Sequence, residues 1–152
     1  MGYRFGVGRE APVFSTTAHD GKEFSLKQYR RNWMPALVFM PATSPDVVAQ
    51  LTALSAAAGQ IWGMRGQLVG ILDASADEVS RLDGQVGEVG FPLIADPLGA
   101  MAQKFGAWNP VKNKLEPLSY IVDKSGKIVW AQEGTAALDP ATLLAGFFQT
   151  AR

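Results

Sequence analysis

Strand-like and helix-like segments alternate along the whole of this 152-residue chain, and that alternation limits the folds open to it. Residues 36–40 form a continuous apolar run of strand length, which predicts a strand buried on both faces. A helix start follows, with Ser44 as the predicted N-cap and Pro45 as the first helical residue. Residues 67–73 predict the next buried strand. The pattern therefore predicts an α/β fold whose central strands run parallel.

The remaining segments extend this pattern to both ends of the chain. Residues 12–17 and 23–26 flank a turn signal at residues 19–22 and predict an N-terminal β-hairpin, which would leave His19 in solvent. A second hairpin is predicted from residues 118–122 and 127–132. Helices are predicted over residues 44–62, 76–83 and 96–105 and from Asp139 onward, the last burying Leu143, Leu144, Phe147 and Phe148. The element order ββαβαβαββα predicts a single domain over residues 1–152.

Composition excludes several classes of function. Fourteen basic and fourteen acidic residues cancel, and no basic run offers a surface for nucleic acid or an anionic membrane. No apolar run has the length of a membrane span and no signal peptide is evident, so a cytoplasmic location is expected. Because the chain has no cysteine and one histidine, disulfides, thiol catalysis and a zinc cluster are excluded, and neither a metal nor a cofactor is expected.

Four short motifs occur in a specific order and spacing. They are G-R-E-A-P-V-F at residues 8–14, D-G-K-E-F-S-L at 20–26, F-P-L-I-A-D-P at 91–97 with K-F-G at 104–106, and S-Y-I-V-D at 119–123 with G-K-I at 126–128. Over residues 8–134 the chain resembles the peroxiredoxin (AhpC/TSA) family, in particular its bacterioferritin-comigratory branch. The resemblance implies a thioredoxin-like fold, with a central mixed sheet flanked by helices and an N-terminal hairpin extension.

The active-site segment departs from the family pattern. That pattern is F-Y-P followed by T-P-x-C, whereas this chain has Phe39-Met40-Pro41 followed by Ser44-Pro45-Asp46-Val47. The match places Val47 where the family has its peroxidatic cysteine, if one residue fewer separates Pro41 from Ser44; otherwise Val48 takes that place. The family arginine that stands six residues before Asp123 is replaced by Pro117. The degenerate site positions are therefore Pro41, Ser44, Val47 and Pro117.

These replacements remove the chemistry that the resemblance implies. A thiolate attacks peroxide because helix N-terminal N–H groups and a nearby guanidinium lower its pKa and stabilise the developing charge. Valine offers no nucleophile, and Ser44 without a base is a poor one. Pro117 also resembles the cis-proline of thioredoxins, which leaves a cis bond open there, although the C-x-x-C motif of those proteins is absent.

Three functions remain open from the sequence. The first is a pseudo-enzyme, a peroxiredoxin-like domain that acts as a non-catalytic binding or assembly module. The second is a thioredoxin-dependent thiol peroxidase whose cysteines were replaced for study. The third is an unrelated chemistry at the predicted helix start, where Thr43, Ser44 and Asp46 could meet an anion.

The family resemblance also suggests a homodimer. Most of the four tryptophans are expected in the core, and Trp108 is predicted to be the accessible one, at an interface.

Overall fold

The computed structural model describes residues 7–29 and 33–150, and its strands form one central sheet and two short hairpins. The strands are β1 Ser15–Thr17, β2 Glu23–Ser25, β3 Met34–Met40, β4 Gly66–Leu72, β5 Leu93–Ala95, β6 Trp108–Asn109, β7 Lys114–Leu115, β8 Leu118–Val122 and β9 Ile128–Glu133. The helices are α1 Val47–Gly63, α2 Ala76–Val86, α3 Ala100–Lys104 and α4 Pro140–Thr150, with 3-10 turns at Leu26–Tyr29 and Thr135–Leu138.

The central sheet is mixed and has the order β5-β4-β3-β8-β9. Strand β3 pairs in parallel with β4, which pairs in parallel with β5, whereas β8 is antiparallel to both β3 and β9. Strands β3 and β8 are buried along their whole length because both faces of the sheet are covered. This arrangement confirms the predicted α/β class with parallel strands at one side and an antiparallel hairpin at the other.

Each face of the sheet carries its own hydrophobic layer. On one face, Met40 and Val38 pack with residues of α1, α2 and α4, among them Leu51 and Phe147. On the other face, Phe39 and Tyr120 pack with the N-terminal hairpin and with Phe105, and the Tyr120 hydroxyl donates to the carbonyl of Phe105 at 2.8 Å. The alternation of side chains along β3 and β8 thus supplies both layers.

Two predicted helices begin later in the structure than in the sequence analysis. The predicted N-cap Ser44 lies three residues before α1, because the N–H of Val47 bonds the Ser44 carbonyl at 3.2 Å and closes a turn ahead of the helix. The predicted helix over residues 96–105 is reduced to α3. Asp96 is 5 % exposed and its two carboxylate oxygens accept the N–H groups of Met101 and Ala102 at 3.1 and 3.0 Å.

Several predictions of exposure were wrong. Phe148 was predicted to lie in the core but is 67 % exposed, since it faces away from the sheet on α4. None of the four tryptophans is fully buried: Trp62 is 50 % exposed, whereas Trp108 packs partly buried against Gly99 and the second layer. The hairpin of β6 and β7 was not predicted, because two-residue strands show no periodicity.

Candidate functional site

The first candidate site is the start of α1, which follows the carboxyl end of β3. Pro41 ends β3, and the next N–H, that of Ala42, donates to the Asp73 carboxylate at 2.8 Å. The Ser44 hydroxyl accepts the N–H of Asp46 at 3.2 Å, two residues along the chain. Asp46 occupies the N-cap of α1 without a side-chain capping bond. The hydroxyl of Ser44 therefore stabilises the turn that leads into the helix.

Val47 is the first residue of α1 and lies inside the molecule. It is 5 % exposed and belongs to the layer that includes Met40 and Leu51. The first helical position, where free N–H groups would favour an anion, thus presents a branched hydrocarbon. Thr43 and Asp46, which the unrelated-chemistry hypothesis invoked, are exposed. The position can neither ionise nor attack an electrophile.

Pro117 lies beside the same end of the sheet. It directly precedes Leu118, which pairs with Phe39 near the end of β3, so the topology places Pro117 and Pro41 at one sheet end. The bond before Pro117 is trans, and its carbonyl accepts the N–H of Gly134 at 3.1 Å. The cis alternative is therefore not adopted. The nearby Lys112 and Lys114 are exposed.

Two polar atoms that the sequence analysis missed are buried on elements next to this region. Gln50 lies on the first turn of α1, and its Oε1 atom has no hydrogen-bond partner among the described residues. The hydroxyl of Ser119, which pairs with Val38 in the sheet, is likewise without a partner in the described part of the chain. No sequence signal distinguishes these two residues, because burial of a polar atom depends on the tertiary packing around it.

The second candidate site is a cleft of about 690 Å³ at the opposite end of the sheet. It is lined by the turn of the first hairpin, the last turns of α1 and α2 and the segment before β5, including Asp20, Trp62, Asp83, Glu88 and Phe91. Beside it, the indole rings of Trp33 and Trp62 stack with centroids 3.9 Å apart and planes inclined by 26°. We call this feature the His19 cleft, after the histidine in its wall.

The prediction that His19 lies in solvent was wrong, since its side chain is only 9 % exposed. The ring Nδ1 atom of His19 accepts a hydrogen bond from the N–H of Leu93 at 2.9 Å. The backbone N–H of His19 donates to the carbonyl of Leu93 at 2.8 Å. The Nε2 atom lies 3.4 Å from the Asp83 carboxylate. That carboxylate also accepts the N–H of Val89 at 2.7 Å. The turn of the hairpin is thus bonded to β5 and contacts α2.

Asp123, in the turn between β8 and β9, has a shifted pKa. Burial alone would raise it. The Ser125 hydroxyl and the backbone N–H groups of Ser125, Gly126 and Lys127 outweigh that effect and hold the pKa of Asp123 below its usual 3.8. The hydroxyl of Ser125 lies 2.7 Å from the carboxylate of Asp123.

Within residues 7–29 and 33–150, no group of three or more His, Asp or Glu side chains is placed to hold a metal ion.

The fold defines a class of protein with the peroxiredoxin architecture. The structure matches that of the peroxidoxin BcpB from Mycobacterium tuberculosis with a TM-score of 0.81 and 18 % identity, over 96 % of this chain and 97 % of the other. This confirms the predicted thioredoxin fold. The AhpC/TSA family model matches residues 7–131, so the chain belongs to the AhpC/TSA family, as the motifs predicted.

Two curated relatives agree with this assignment. A candidate peroxiredoxin of Entamoeba histolytica is 26 % identical over 137 residues, which are 83 % of this chain and 58 % of the relative. The chain thus spans a little over half the length of that protein. A candidate peroxiredoxin named bcp from Haemophilus influenzae is 22 % identical over 129 residues, which cover 81 % of this chain and 83 % of the relative. No helix in the described residues has the length and apolarity that a membrane span requires.

Proposed function

We propose that this protein is a peroxiredoxin-fold domain that does not reduce peroxides through a thiol and that serves as a non-catalytic binding or assembly module. The observation that carries the proposal is the absence of cysteine from all 152 residues. A thiolate is the nucleophile of thiol peroxidase chemistry, and no other side chain near the start of α1 can replace it.

The surroundings of Val47 support the same proposal. Its side chain lies in a closed apolar layer with Met40 and Leu51, which is favourable for a hydrocarbon and unfavourable for an isolated thiolate. Pro117, by our alignment the position of the family arginine, brings no positive charge to this end of the sheet. By this alignment the chain therefore lacks both the thiol nucleophile and the arginine that would activate it.

The alternative is a thiol peroxidase that is represented here by a cysteine-free variant. A designed replacement is usually serine or alanine and would leave the arginine in place, whereas this chain has Val47 and Pro117.

We further propose that residues 1–152 form one domain, that this domain acts in the cytoplasm and that two copies form a homodimer. Sedimentation velocity on the purified chain tests the dimer.

The first test is peroxide consumption by the wild-type protein with thioredoxin or dithiothreitol as reductant. We expect no turnover above the buffer rate. Turnover well above the buffer rate by this cysteine-free chain would overturn the proposal.

The second test restores both lost groups in the double variant Val47→Cys/Pro117→Arg. If our alignment is right, the new thiol lies at a helix N-terminus beside a guanidinium, so its pKa falls below that of free cysteine and peroxide oxidises it faster. Ala53→Cys is the matched control, since it places a thiol on the exposed face of the same helix. Equal oxidation rates in the two proteins would show that the surroundings of residue 47 no longer activate a thiol, even with both side chains restored.

A further inference from the structure

His19, in the turn of the N-terminal hairpin, covers the outer edge of β5 at Leu93. The N–H of Gly70 bonds the carbonyl of Pro92 at 3.0 Å, and the N–H of Asp96 bonds the carbonyl of Leu72 at 2.8 Å, which directs these residues of the β5 segment toward β4. The N–H and C=O of Leu93 point the other way. His19 bonds both of them, with its ring Nδ1 and its backbone N–H, and so occupies the place of a neighbouring strand.

This pair of bonds specifies the protonation state of the imidazole. A backbone N–H only donates, so Nδ1 of His19 must present a lone pair to Leu93, and the proton of the neutral ring is on Nε2, which faces Asp83. A 180° rotation of the ring about its Cβ–Cγ bond would place the Cδ2 carbon against the N–H of Leu93 and lose the bond. The closed arrangement therefore requires a neutral histidine.

We propose that the two His19–Leu93 hydrogen bonds and the His19–Asp83 contact form a pH-sensitive latch, which opens when Nδ1 of His19 gains a proton. A protonated Nδ1 would point its N–H at the N–H of Leu93, so the bond would be lost and the two donors would repel each other. The hairpin turn then leaves β5, and the outer edge of that strand becomes free.

The charged groups near the ring do not compensate for the His19–Leu93 hydrogen bond that is lost when Nδ1 is protonated. The charged groups that line the His19 cleft are Asp83 at the end of α2, which contacts the ring, Asp20 in the same turn and Glu88 in the loop after α2. The cleft residues of α1, β4 and the segment before β5 are uncharged. A protonated ring would gain an ion pair with Asp83. That carboxylate already accepts the N–H of Val89, lies 3.4 Å away and is partly solvated, so the gain is smaller than the loss of the acceptor for a buried backbone N–H.

The direction of the pH effect follows from proton linkage. The open form binds one more proton than the closed form, so the ratio of open to closed molecules rises as the pH falls. With one proton involved, the limiting increase is about tenfold for each pH unit.

The test measures hydrogen exchange of the Leu93 amide in the full-length protein between pH 8 and pH 5, corrected for the intrinsic exchange rate. The amide of Leu37, in the central strand β3, reports global unfolding. We expect the protection of Leu93 to fall by ten- to a hundredfold over this range while that of Leu37 remains. Unchanged protection of Leu93 would overturn the proposal.

The matched control is His19→Asn, whose Oδ1 atom can accept the same N–H but cannot gain a proton. We expect Leu93 protection to be independent of pH in this variant, and an equal fall in both proteins would overturn the latch. A second measurement needs no variant: His19 is the only histidine, so its ¹⁵N shifts are unambiguous. An imidazole that becomes protonated while Leu93 remains protected would also overturn the proposal.

Discussion

The two ends of the central sheet use their polar groups differently. Where α1 begins, Val47 is packed in hydrocarbon, and the Ser44 hydroxyl bonds only an N–H two residues away. Where α1 ends, His19 bonds Leu93, which is 74 residues distant in sequence, and lies against Asp83. The buried side chain described at the first end is thus apolar, whereas at the second end it is a histidine whose hydrogen bonds join distant segments of the chain.

Two residues of the family motifs stabilise the fold through hydrogen bonds to the backbone. Asp96 and Asp123 lie in the motifs that carry the resemblance, and both carboxylates accept several N–H groups of the backbone. These bonds need no reactive group at residue 47. These motif residues therefore stabilise turns and helix starts whether or not a reactive group stands at residue 47.

The largest effect is expected where the contacts are long-range. The substitution His19→Ala leaves the N–H of Leu93 without its acceptor, and we expect the free energy of unfolding to fall by about 2 kcal/mol at pH 8. Urea denaturation measures it. The control is Asp20→Ala in the same turn, where the exposed side chain makes a local bond to the N–H of Lys22 and should contribute about 0.5 kcal/mol or less. Equal losses in the two variants would show that the long-range bonds of His19 contribute no more to stability than a local bond in the same turn.

At the other end, the stability should depend on apolar volume. Val47→Ala removes two methyl groups from a buried position, and part of the loss is offset by the higher helix propensity of alanine, so we expect a loss of about 1–1.5 kcal/mol. Thermal or urea unfolding measures it. Val111→Ala, at an 88 % exposed loop position, should change stability by about 0.5 kcal/mol or less. A loss at Val47 no larger than this would show that the start of α1 is not tightly packed.

The smallest effect concerns acid stability. Because the folded-state pKa of Asp123 lies below 3.8, its ionised form stabilises the fold above that pH, and the contribution is lost as the pH falls through the folded value. Exposure to solvent limits the effect to about 0.5 kcal/mol or less. Unfolding curves of wild type and Asp123→Asn, measured between pH 6 and pH 2, should converge at the acid end. Parallel curves would contradict the assignment.

The sequence predicted the central elements well because their signals are local. The apolar run at residues 36–40 and the segment at 67–73 became β3 and β4. The helix predicted over residues 76–83 became α2, which Ser75 caps with a reciprocal bond to Glu78. Gly126 turns the second hairpin at a φ of 92°, which only glycine adopts readily. These features depend on neighbouring residues and can be read from a short window.

The features that were missed depend on distant contacts. His19 is buried by its contact with β5, which lies 74 residues further along the chain, and the residues next to His19 do not indicate that contact. Ser44 and Pro45 have the residue types of a helix start, yet the chain makes one more turn before α1, which a residue-type pattern cannot distinguish. The unpartnered atoms of Gln50 and Ser119 likewise arise from packing. Among the predicted site positions, the sequence identified the residues that depart from the family pattern, while the structure added the burial of Val47.

The stacked indoles of Trp33 and Trp62 give the molecule an optical reporter. Two aromatic chromophores held this close couple their electronic transitions, so the pair should produce a circular dichroism couplet and an altered fluorescence emission. Because Trp62 also lines the His19 cleft, occupation of that cleft should change both signals without any added label. A screen for small molecules that bind there can therefore be read from the protein's intrinsic spectrum.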